Sequence, residues 1–252
     1  MAVTEGQEQR QEQRQVQPVL PAEVPARARM LRFLFGLLYR NRALYWLAST
    51  IPFAGQWRVW QRLAIPSISG SDVLEIGCGI GKLLADMTQA GYTCTAVDRS
   101  PAMVAATRRE LRKRGLPADA TPVLLASAQR LPFPAASFDT VVSTFPTDYI
   151  FDPATLHEVA RVLRPGGRLI IVMGAALLPA RAALVPLVAL QTLVYGRQRG
   201  ASGAGGASCA LSPASSMGVA LTSAGFTPQA ECVVGPFWQA YLLLAERPEA
   251  IE

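Results

Sequence analysis

The feature that most constrains the fold of this chain is a glycine-rich turn between an apolar strand and a helix. The stretch DVLEIGCGIGKLL, Asp72 to Leu84, places Gly77, Gly79 and Gly81 directly after a short apolar run. Glycine adopts left-handed backbone conformations at little cost and lets a ligand approach the main chain closely. A helix that follows directly points its free N–H groups at that ligand. The stretch therefore predicts a strand, a ligand-binding turn and a helix.

The chain beyond this turn continues to alternate short apolar runs with helical stretches, as βαβ units on a parallel sheet do. The predicted strands are Val73 to Ile76, Thr93 to Val97, Pro122 to Ala126, Phe138 to Ser143, Leu169 to Met173, Gln229 to Val234 and Trp238 to Ala245. The predicted helices lie near Lys82 to Ala90, Pro101 to Arg114, Pro153 to Leu163 and Pro213 to Ala224. Only GPF separates the last two strands, which is too short for a parallel crossover, so an antiparallel hairpin is predicted at one edge.

The predicted fold class is therefore α/β, a three-layer sandwich around a mostly parallel seven-stranded sheet with an antiparallel last strand. Residues 1–28 are rich in Gln, Glu, Arg and Pro and are predicted to be a disordered tail. Residues 29–70 are predicted to form an N-terminal helical cap, because apolar residues recur there at helical spacing. The α/β domain spans 71–247 and includes an apolar insert, 174–212, which is predicted to be helical.

The glycine turn does not match the dinucleotide fingerprint G-x-G-x-x-G, because Lys82 stands where that fingerprint has its third small residue. Glu75 precedes the turn by two residues. A carboxylate at that position repels a pyrophosphate and attracts an ammonium group. A nicotinamide-dependent dehydrogenase is thus a poor match, and the turn favours a cationic ligand.

Four signatures in order, from Ser71 to Arg247, resemble those of class I S-adenosylmethionine-dependent methyltransferases. They are EIGCGIG after the first strand, TAVDRSPAMV at the second, ASAQRLPFPAASFDTVVS around the third and fourth, and LHEVARVLRPGGRLIIV before and in the fifth. The resemblance is to the small-molecule branch, in particular to the quinone-biosynthesis and phospholipid types. It implies a Rossmann-like methyltransferase domain over 71–247 with S-adenosyl-L-methionine as its cofactor.

The resemblance also implies a role for each residue that matches a signature. Glu75 is expected near the ammonium group of the cofactor, and Asp98 on its ribose hydroxyls. The remaining expected cofactor contacts are Gly77, Cys78, Gly79, Gly81, Arg99, Met103, Ser127, Ala128, Gln129 and Thr144. The family usually has aspartate where Ser127 stands, and a serine hydroxyl is a weaker acceptor for the adenine amino group.

The segment after the fourth strand, STFPTDYIFDP, is expected to face the transferred methyl group. It contains the candidate catalytic residues Asp148 and Tyr149, with Asp148 as a general base or an amine anchor. The alternative interpretation is a turn aspartate with a packed tyrosine. His157, the only histidine, is interpreted as a surface or structural residue.

The charge and the cysteine content of the chain limit the classes of binding partner that are expected. The formal net charge is +6, but its one dense cluster, Arg108 to Arg114, lies at the end of a predicted helix and is interpreted as a solvated face. Nucleic acid is therefore an unlikely partner. The four cysteines are far apart, with no C-x-x-C pair, which predicts a reduced, cytoplasmic chain without a metal site.

The acceptor is predicted to be small and apolar or lipid-like, with peripheral contact to a membrane surface, because both segments expected to cover the site are apolar. The N-terminal cap contains Trp46, Trp57 and Trp60, and the insert is richer still in apolar residues. Two alternatives stay open: a soluble-metabolite methyltransferase without membrane contact, and a non-catalytic cofactor-binding protein. The sequence does not indicate the acceptor atom or the oligomeric state.

Overall fold

The computed structural model of the protein describes residues 55–117, 119–178, 185–186, 188–189 and 215–249. The helices in these residues are α1 (Trp57–Arg62), α2 (Lys82–Gln89), α3 (Pro101–Lys113), α4 (Pro153–Val162) and α5 (Ser216–Ser223), with 3-10 turns at Ile65–Ser67 and Asp148–Phe151. The strands are β1 (Asp72–Ile76), β2 (Thr93–Asp98), β3 (Val123–Leu125), β4 (Phe138–Thr144), β5 (Leu163–Leu177), β6 (Thr227–Val234) and β7 (Trp238–Glu246).

The strands form one seven-stranded sheet in the order β3-β2-β1-β4-β5-β7-β6. The pairs among β1 to β5 are parallel, whereas β7 runs antiparallel to both of its neighbours, β5 and β6. The prediction of a mostly parallel sheet with an antiparallel last strand is confirmed. Because β1 lies between β2 and β4, the glycine turn that follows it opens where the strand order reverses.

Helices cover both faces of the sheet, so the predicted three-layer arrangement is confirmed. Along each strand, alternate side chains point to opposite faces. One face packs against α1, α2 and α3 in a core that contains Trp60, Val73, Leu84, Ala96, Leu111 and Ile170. The opposite face packs against α4 and α5 in a core that contains Leu74, Val97, Leu156, Val159, Ile171 and Leu221.

Local signals fix the ends of several helices. The side chains of Ser100 and Asp152 accept hydrogen bonds from the first turns of α3 and α4, and a proline follows each of them. Gly91, Gly115 and Gly225 stand just after α2, α3 and α5 with φ of +96°, +71° and +85°. Glycine is favoured at these positions because other residues are strained there.

The fifth strand differs most from its prediction. β5 spans Leu163–Leu177, whereas the apolar run alone predicts Leu169 to Met173. Gly174 to Leu177 continue to pair with β7, from Tyr241 to Trp238, so the first four residues assigned to the insert belong to the sheet. β5 continues past residue 174 because the long partner strand β7 extends the pairing.

Most of the predicted helical insert lies outside the described residues, as do the tail and much of the N-terminal cap. The described end of the cap, α1, is helical as predicted. In the part of the chain that the structure describes, no helix combines the length and apolar character needed to cross a bilayer.

Cys232 in β6 is disulfide-bonded. The prediction of a fully reduced chain is therefore wrong at this residue, because distance in sequence does not limit which cysteines a fold brings together.

Candidate active site

The backbone of the glycine turn has a conformation in which residues other than glycine would be strained. Gly77, Gly79 and Gly81 have φ of +76°, +55° and +74°. A Cβ on Gly77 would lie 2.6 Å from the hydroxyl oxygen of Tyr149, and one on Gly81 would lie 2.5 Å from Cγ2 of Thr107. Both contacts are shorter than packing allows. The sequence spacing therefore reflects both the conformation of the turn and its close neighbours.

The turn is anchored to strands on either side and to α3. The amide of Gly77 donates to the carbonyl of Val97 at 2.8 Å. The hydroxyl of Thr107 donates to the carbonyl of Gly79 at 2.8 Å, and the same hydroxyl lies 3.5 Å from Sγ of Cys78. Sequence reasoning missed Thr107. The only signal for it was a polar residue at an inward-facing position of α3.

Glu75 is the buried charge of this site. Its side chain is 1% exposed, and its Oε2 atom has no hydrogen-bond partner among the described residues. Burial, assisted by the nearby charge of Asp98, raises the pKa of Glu75 to about 8, although a hydrogen bond from the backbone of Leu84 opposes this shift. Since buried polar atoms are normally paired, this carboxyl group is suited to a cationic or donor ligand.

Asp98 ends β2 beside the turn. Its Oδ2 accepts a hydrogen bond from the amide of Gly79 at 3.0 Å, and its Oδ1 accepts one from the amide of Ser100 at 2.8 Å. Burial raises the pKa of Asp98, and the two backbone hydrogen bonds and the charge of Arg99 oppose that shift. Each carboxylate oxygen can accept a second bond. The group can therefore bind two hydroxyl donors without losing its anchors.

The residues expected along the adenine follow β2 and β3, which are neighbours in the sheet. Arg99 is exposed, whereas Met103 is 3% exposed on the inner face of α3. Ser127 is exposed and donates its hydroxyl hydrogen bond to Oε1 of Gln129, while Ala128 is 8% exposed. Because Asp98 pairs with Leu125, this segment begins two residues beyond the position that faces the end of β2.

Two contacts that sequence reasoning did not identify hold the segment after β3 in place. The amide of Leu131 donates to Oε2 of Glu158 at 2.6 Å. Arg161 donates to the carbonyls of Leu131 at 3.0 Å and Phe133 at 2.7 Å. Both charged residues lie on α4, so that helix fixes the position of the loop.

The segment after β4 lies across the glycine turn. The hydroxyl oxygen of Tyr149 is 3.3 Å from that of Ser143, which donates to the carbonyl of Ile76 at 3.0 Å. Thr144 accepts a hydrogen bond from Gln61 at 3.2 Å. Asp148 is exposed and makes no hydrogen bond or ion pair to any described residue. The structure thus brings Tyr149 to the turn and leaves Asp148 at the surface.

Aromatic side chains flank this segment. Trp57 of α1 stacks on Phe145, with ring centroids 4.0 Å apart and an interplanar angle of 27°. Trp60 lies 6.4 Å from Phe145 and 6.2 Å from Trp238. Phe145 has φ of +50°, a conformation that costs energy for a residue other than glycine. Strain of this kind often occurs at functional sites, and here it presents the ring to α1.

An ion network holds α1 to the rest of the site. Asp86 on α2 pairs with Arg58 at 2.8 Å, with Arg62 at 3.6 Å and with Arg114 at 2.6 Å. Arg114 also pairs with Glu110 at 3.0 Å. Part of the basic cluster on α3 is therefore structural, which the interpretation as a solvated face did not anticipate.

Neither His157 nor Cys78 supplies a reactive group to the site. His157 is exposed on α4. Among the residues that the structure describes, no group of three or more His, Cys, Asp or Glu side chains could hold a metal ion. Burial and the charge of Glu75 raise the pKa of Cys78 far above its ordinary value, which leaves its thiol protonated and unreactive.

These features define the class of the protein: a Rossmann-like α/β domain whose ligand turn carries a buried acid in place of phosphate-binding chemistry. Residues 74–171 match the family model described as a methyltransferase domain. Demethylmenaquinone methyltransferase of Mycobacterium sp. (strain JLS) is 34% identical over 131 residues, which cover 50% of this chain and 53% of that protein. The chain thus spans about half the length of the curated relatives it matches.

Solved structures share the fold at low sequence identity. Geranyl diphosphate C-methyltransferase from Streptomyces coelicolor A3(2) is 14% identical with a TM-score of 0.54, over 78% of this chain and 79% of that one. The [4+2]-cyclase SpnF is 19% identical with a TM-score of 0.52, over 77% and 81% of the two chains. The chain therefore shares the Rossmann-like α/β fold of these proteins, and its residues 74–171 are similar to a methyltransferase domain.

Proposed function

We propose that the protein binds S-adenosyl-L-methionine and transfers its methyl group to a small, apolar or lipid-like acceptor. The observation that carries this proposal is Glu75, a buried carboxyl group beside the glycine turn with one oxygen unpaired. An ammonium group would stabilise the ionised form of this carboxyl group and complete its hydrogen bonding, whereas a pyrophosphate would oppose its ionisation.

The residues present fit this cofactor. Glu75 is proposed to accept from its ammonium group, and the free lone pairs of Asp98 from its two ribose hydroxyls. The left-handed glycines, Gly77, Gly79 and Gly81, give it close access to the backbone. When bound, S-adenosyl-L-methionine supplies a methyl group activated by a sulfonium centre.

The remaining predicted contacts divide into apolar and polar groups. Met103 and Ala128 are buried and offer apolar surface to a flat base, whereas Arg99, Ser127 and Gln129 are exposed and polar. Ser127 keeps acceptor capacity while its hydroxyl hydrogen is directed to Gln129. Cys78 and Thr144 are proposed to contribute through packing and backbone position.

The proposed acceptor side is the aromatic surface of Trp57, Phe145 and Tyr149. Aromatic rings offer large apolar contact area and prefer stacked or edge-on partners. An apolar or lipid-like acceptor matches this surface. The proposal also accords with the substrates that the names of two similar proteins give, demethylmenaquinone and geranyl diphosphate.

Much of the proposed rate enhancement comes from alignment of the acceptor with the methyl carbon, since positioning alone can contribute about 7 to 11 kcal/mol. If the acceptor must lose a proton, the structure favours Tyr149 over Asp148 as the group that contacts it. The Tyr149 hydroxyl reaches the glycine turn, whereas the Asp148 side chain is exposed.

The proposal is tested by incubating the protein with S-adenosyl-L-methionine and a panel of reduced naphthoquinones, phenols and aliphatic alcohols, and measuring S-adenosylhomocysteine formed. We expect turnover with an apolar acceptor and loss of at least about tenfold in kcat for Tyr149→Phe, with little change for Asp148→Asn. Equal losses for both variants would contradict the assignment of Tyr149. Cofactor binding without any turnover across the panel would favour a non-catalytic or different role.

A further inference from the structure

We propose that a second site, a cleft beside β3, binds an anion that carries an apolar chain. The cleft has a volume of about 450 Å³. Its walls come from the second half of α3, the loop that follows it and the start of β3, and they include Arg108, Leu111, Arg112, Leu116, Thr121 and Val123. None of these residues belongs to the candidate active site.

The cleft lies at the opposite edge of the sheet from the glycine turn. β1, β2 and β3 are parallel, so their first residues share one edge and their last residues share the other. Val123 is the first residue of β3, whereas Gly77 follows the last residue of β1. A ligand in the cleft therefore does not compete with a cofactor, and its binding can be tested separately from the proposed function.

Two arginines supply positive charge at the cleft. Arg108 and Arg112 are exposed and lie one turn apart on α3, on the same face of the helix. Neither forms an ion pair with any described residue, including Asp119 in the adjoining loop. Arg108 donates one hydrogen bond to the carbonyl of Val123 at 2.7 Å, which leaves most of its donors free. Such guanidinium groups bind oxyanions well.

A buried hydroxyl gives an independent indication of a ligand. Thr121 lines the cleft and is 1% exposed, and its Oγ1 atom has no hydrogen-bond partner in the described structure. Buried polar atoms without partners are rare in native proteins, and a bound ligand or water is a usual explanation. An oxyanion held by the two arginines would offer the missing acceptor.

The floor of the cleft is apolar. Leu111 is 1% exposed and Val123 is 5% exposed, and Leu116 packs against the same core. Among the described residues, no aromatic side chain lines the cleft, so this part of it lacks the surfaces on which nucleic-acid bases stack. Positive charge beside an aliphatic floor matches an anionic head with an aliphatic chain better than it matches a nucleic acid.

Calorimetry with octyl phosphate, below its micelle concentration, tests the proposal. We expect saturable binding that is stronger than that of inorganic phosphate or 1-octanol, because each of these supplies only half of the ligand. Arg112→Glu should weaken binding by roughly tenfold or more, since it reverses a charge in the wall. Arg109→Glu is the matched control: Arg109 is exposed on the same helix but does not line the cleft.

Thr121→Val tests the role of the buried hydroxyl group without changing the charge of the cleft. It removes the hydroxyl with little change in shape, so the protein should remain folded while affinity for octyl phosphate falls several-fold. Vesicles of phosphatidylcholine with and without phosphatidylglycerol then identify the source of the ligand. Binding to the anionic vesicles that Arg112→Glu abolishes and Arg109→Glu preserves indicates a lipid headgroup, whereas binding of octyl phosphate alone indicates a free amphiphile.

Several results would overturn the proposal. Equal losses for Arg109→Glu and Arg112→Glu would show general surface electrostatics rather than a site. Inorganic phosphate binding as tightly as octyl phosphate would remove the apolar chain from the ligand class. An oligonucleotide that binds more tightly than octyl phosphate and is sensitive to Arg112→Glu would assign the cleft to nucleic acid.

Discussion

Glu75 has a carboxyl group that water does not reach and an oxygen that no described residue pairs. A buried acid in this state costs stability, and the protein holds it protonated at neutral pH by raising its pKa to about 8. Groups perturbed in this way by burial and a neighbouring charge are frequent at ligand sites. At the residue scale, the site is therefore defined by an unfavourable group that a cationic ligand would stabilise.

The first prediction concerns the effect of this acid on stability. The folded pKa of Glu75 is raised from 4.5 to about 8, so the folded state holds the proton more tightly than the unfolded state does. The contribution of Glu75 to the free energy of unfolding is fully present below pH 4.5 and is lost as pH rises through about 8. Glu75→Gln should therefore unfold at about the same urea concentration as wild type near pH 4.5, and be more stable near pH 8.5 by on the order of 2 kcal/mol. A difference that does not change with pH would contradict it.

The second prediction concerns the close approach of Tyr149 to Gly77. Gly77→Ala combines a left-handed alanine with a Cβ that would lie 2.6 Å from the tyrosine hydroxyl oxygen, and should cost roughly 2 kcal/mol or more. Tyr149→Phe should recover part of this cost in the Gly77→Ala background, because the next ring atom is 3.8 Å away. The double-mutant cycle, measured by urea unfolding, should show coupling between the two positions. Simple additivity would indicate that the contact does not exist.

At the scale of secondary structure, the sequence predicted most elements to within a few residues. Strands such as β2 have short apolar runs with clear turn signals, and α3 and α4 have a capping side chain followed by proline. The positions of the candidate residues Glu75, Asp98 and Ser127 near the carboxyl ends of neighbouring parallel strands were also predictable from the motifs. These features depend on local sequence alone.

Other contacts were not predictable because they join elements that are distant in the sequence. Asp86 contacts arginines on both α1 and α3, and Thr107 on α3 supports the glycine turn. Neither residue belongs to a recognisable pattern. The stack of Trp57 on Phe145 likewise depends on where α1 packs. The length of β5 was underestimated because it is set by pairing with β7 rather than by the apolar run of β5 itself.

The third prediction concerns the attachment of α1. Asp86 is 10% exposed and pairs with three arginines, of which two belong to α1. Asp86→Asn should lower the free energy of unfolding by about 1 kcal/mol at low salt and by less at high salt. It should also weaken the near-ultraviolet circular dichroism of the stacked Trp57 and Phe145 rings. Glu246→Gln, which removes a pair whose acid is 53% exposed, should change neither quantity. Equal effects of the two variants would contradict the role of Asp86.

At the scale of the whole molecule, the fold is one that methyltransferases share, but it does not by itself determine the reaction. SpnF, a cyclase, shares the same architecture. The proposed function therefore depends on particular side chains at the carboxyl edge of the sheet, where β1, β2 and β4 end. The cleft beside β3 lies at the amino edge, so the two proposed sites are separated by the sheet.

Isothermal titration calorimetry with S-adenosylhomocysteine tests the central claim most directly. We predict saturable binding to the wild-type protein, no binding of NADH, and affinity that rises between about pH 6 and pH 8 as Glu75 becomes easier to ionise. Glu75→Gln and Asp98→Asn should each weaken binding by roughly 10- to 100-fold, while Asp72→Asn, at the other end of β1, should not. Tighter binding of NADH than of S-adenosylhomocysteine, or unchanged affinity in both site variants, would contradict the account.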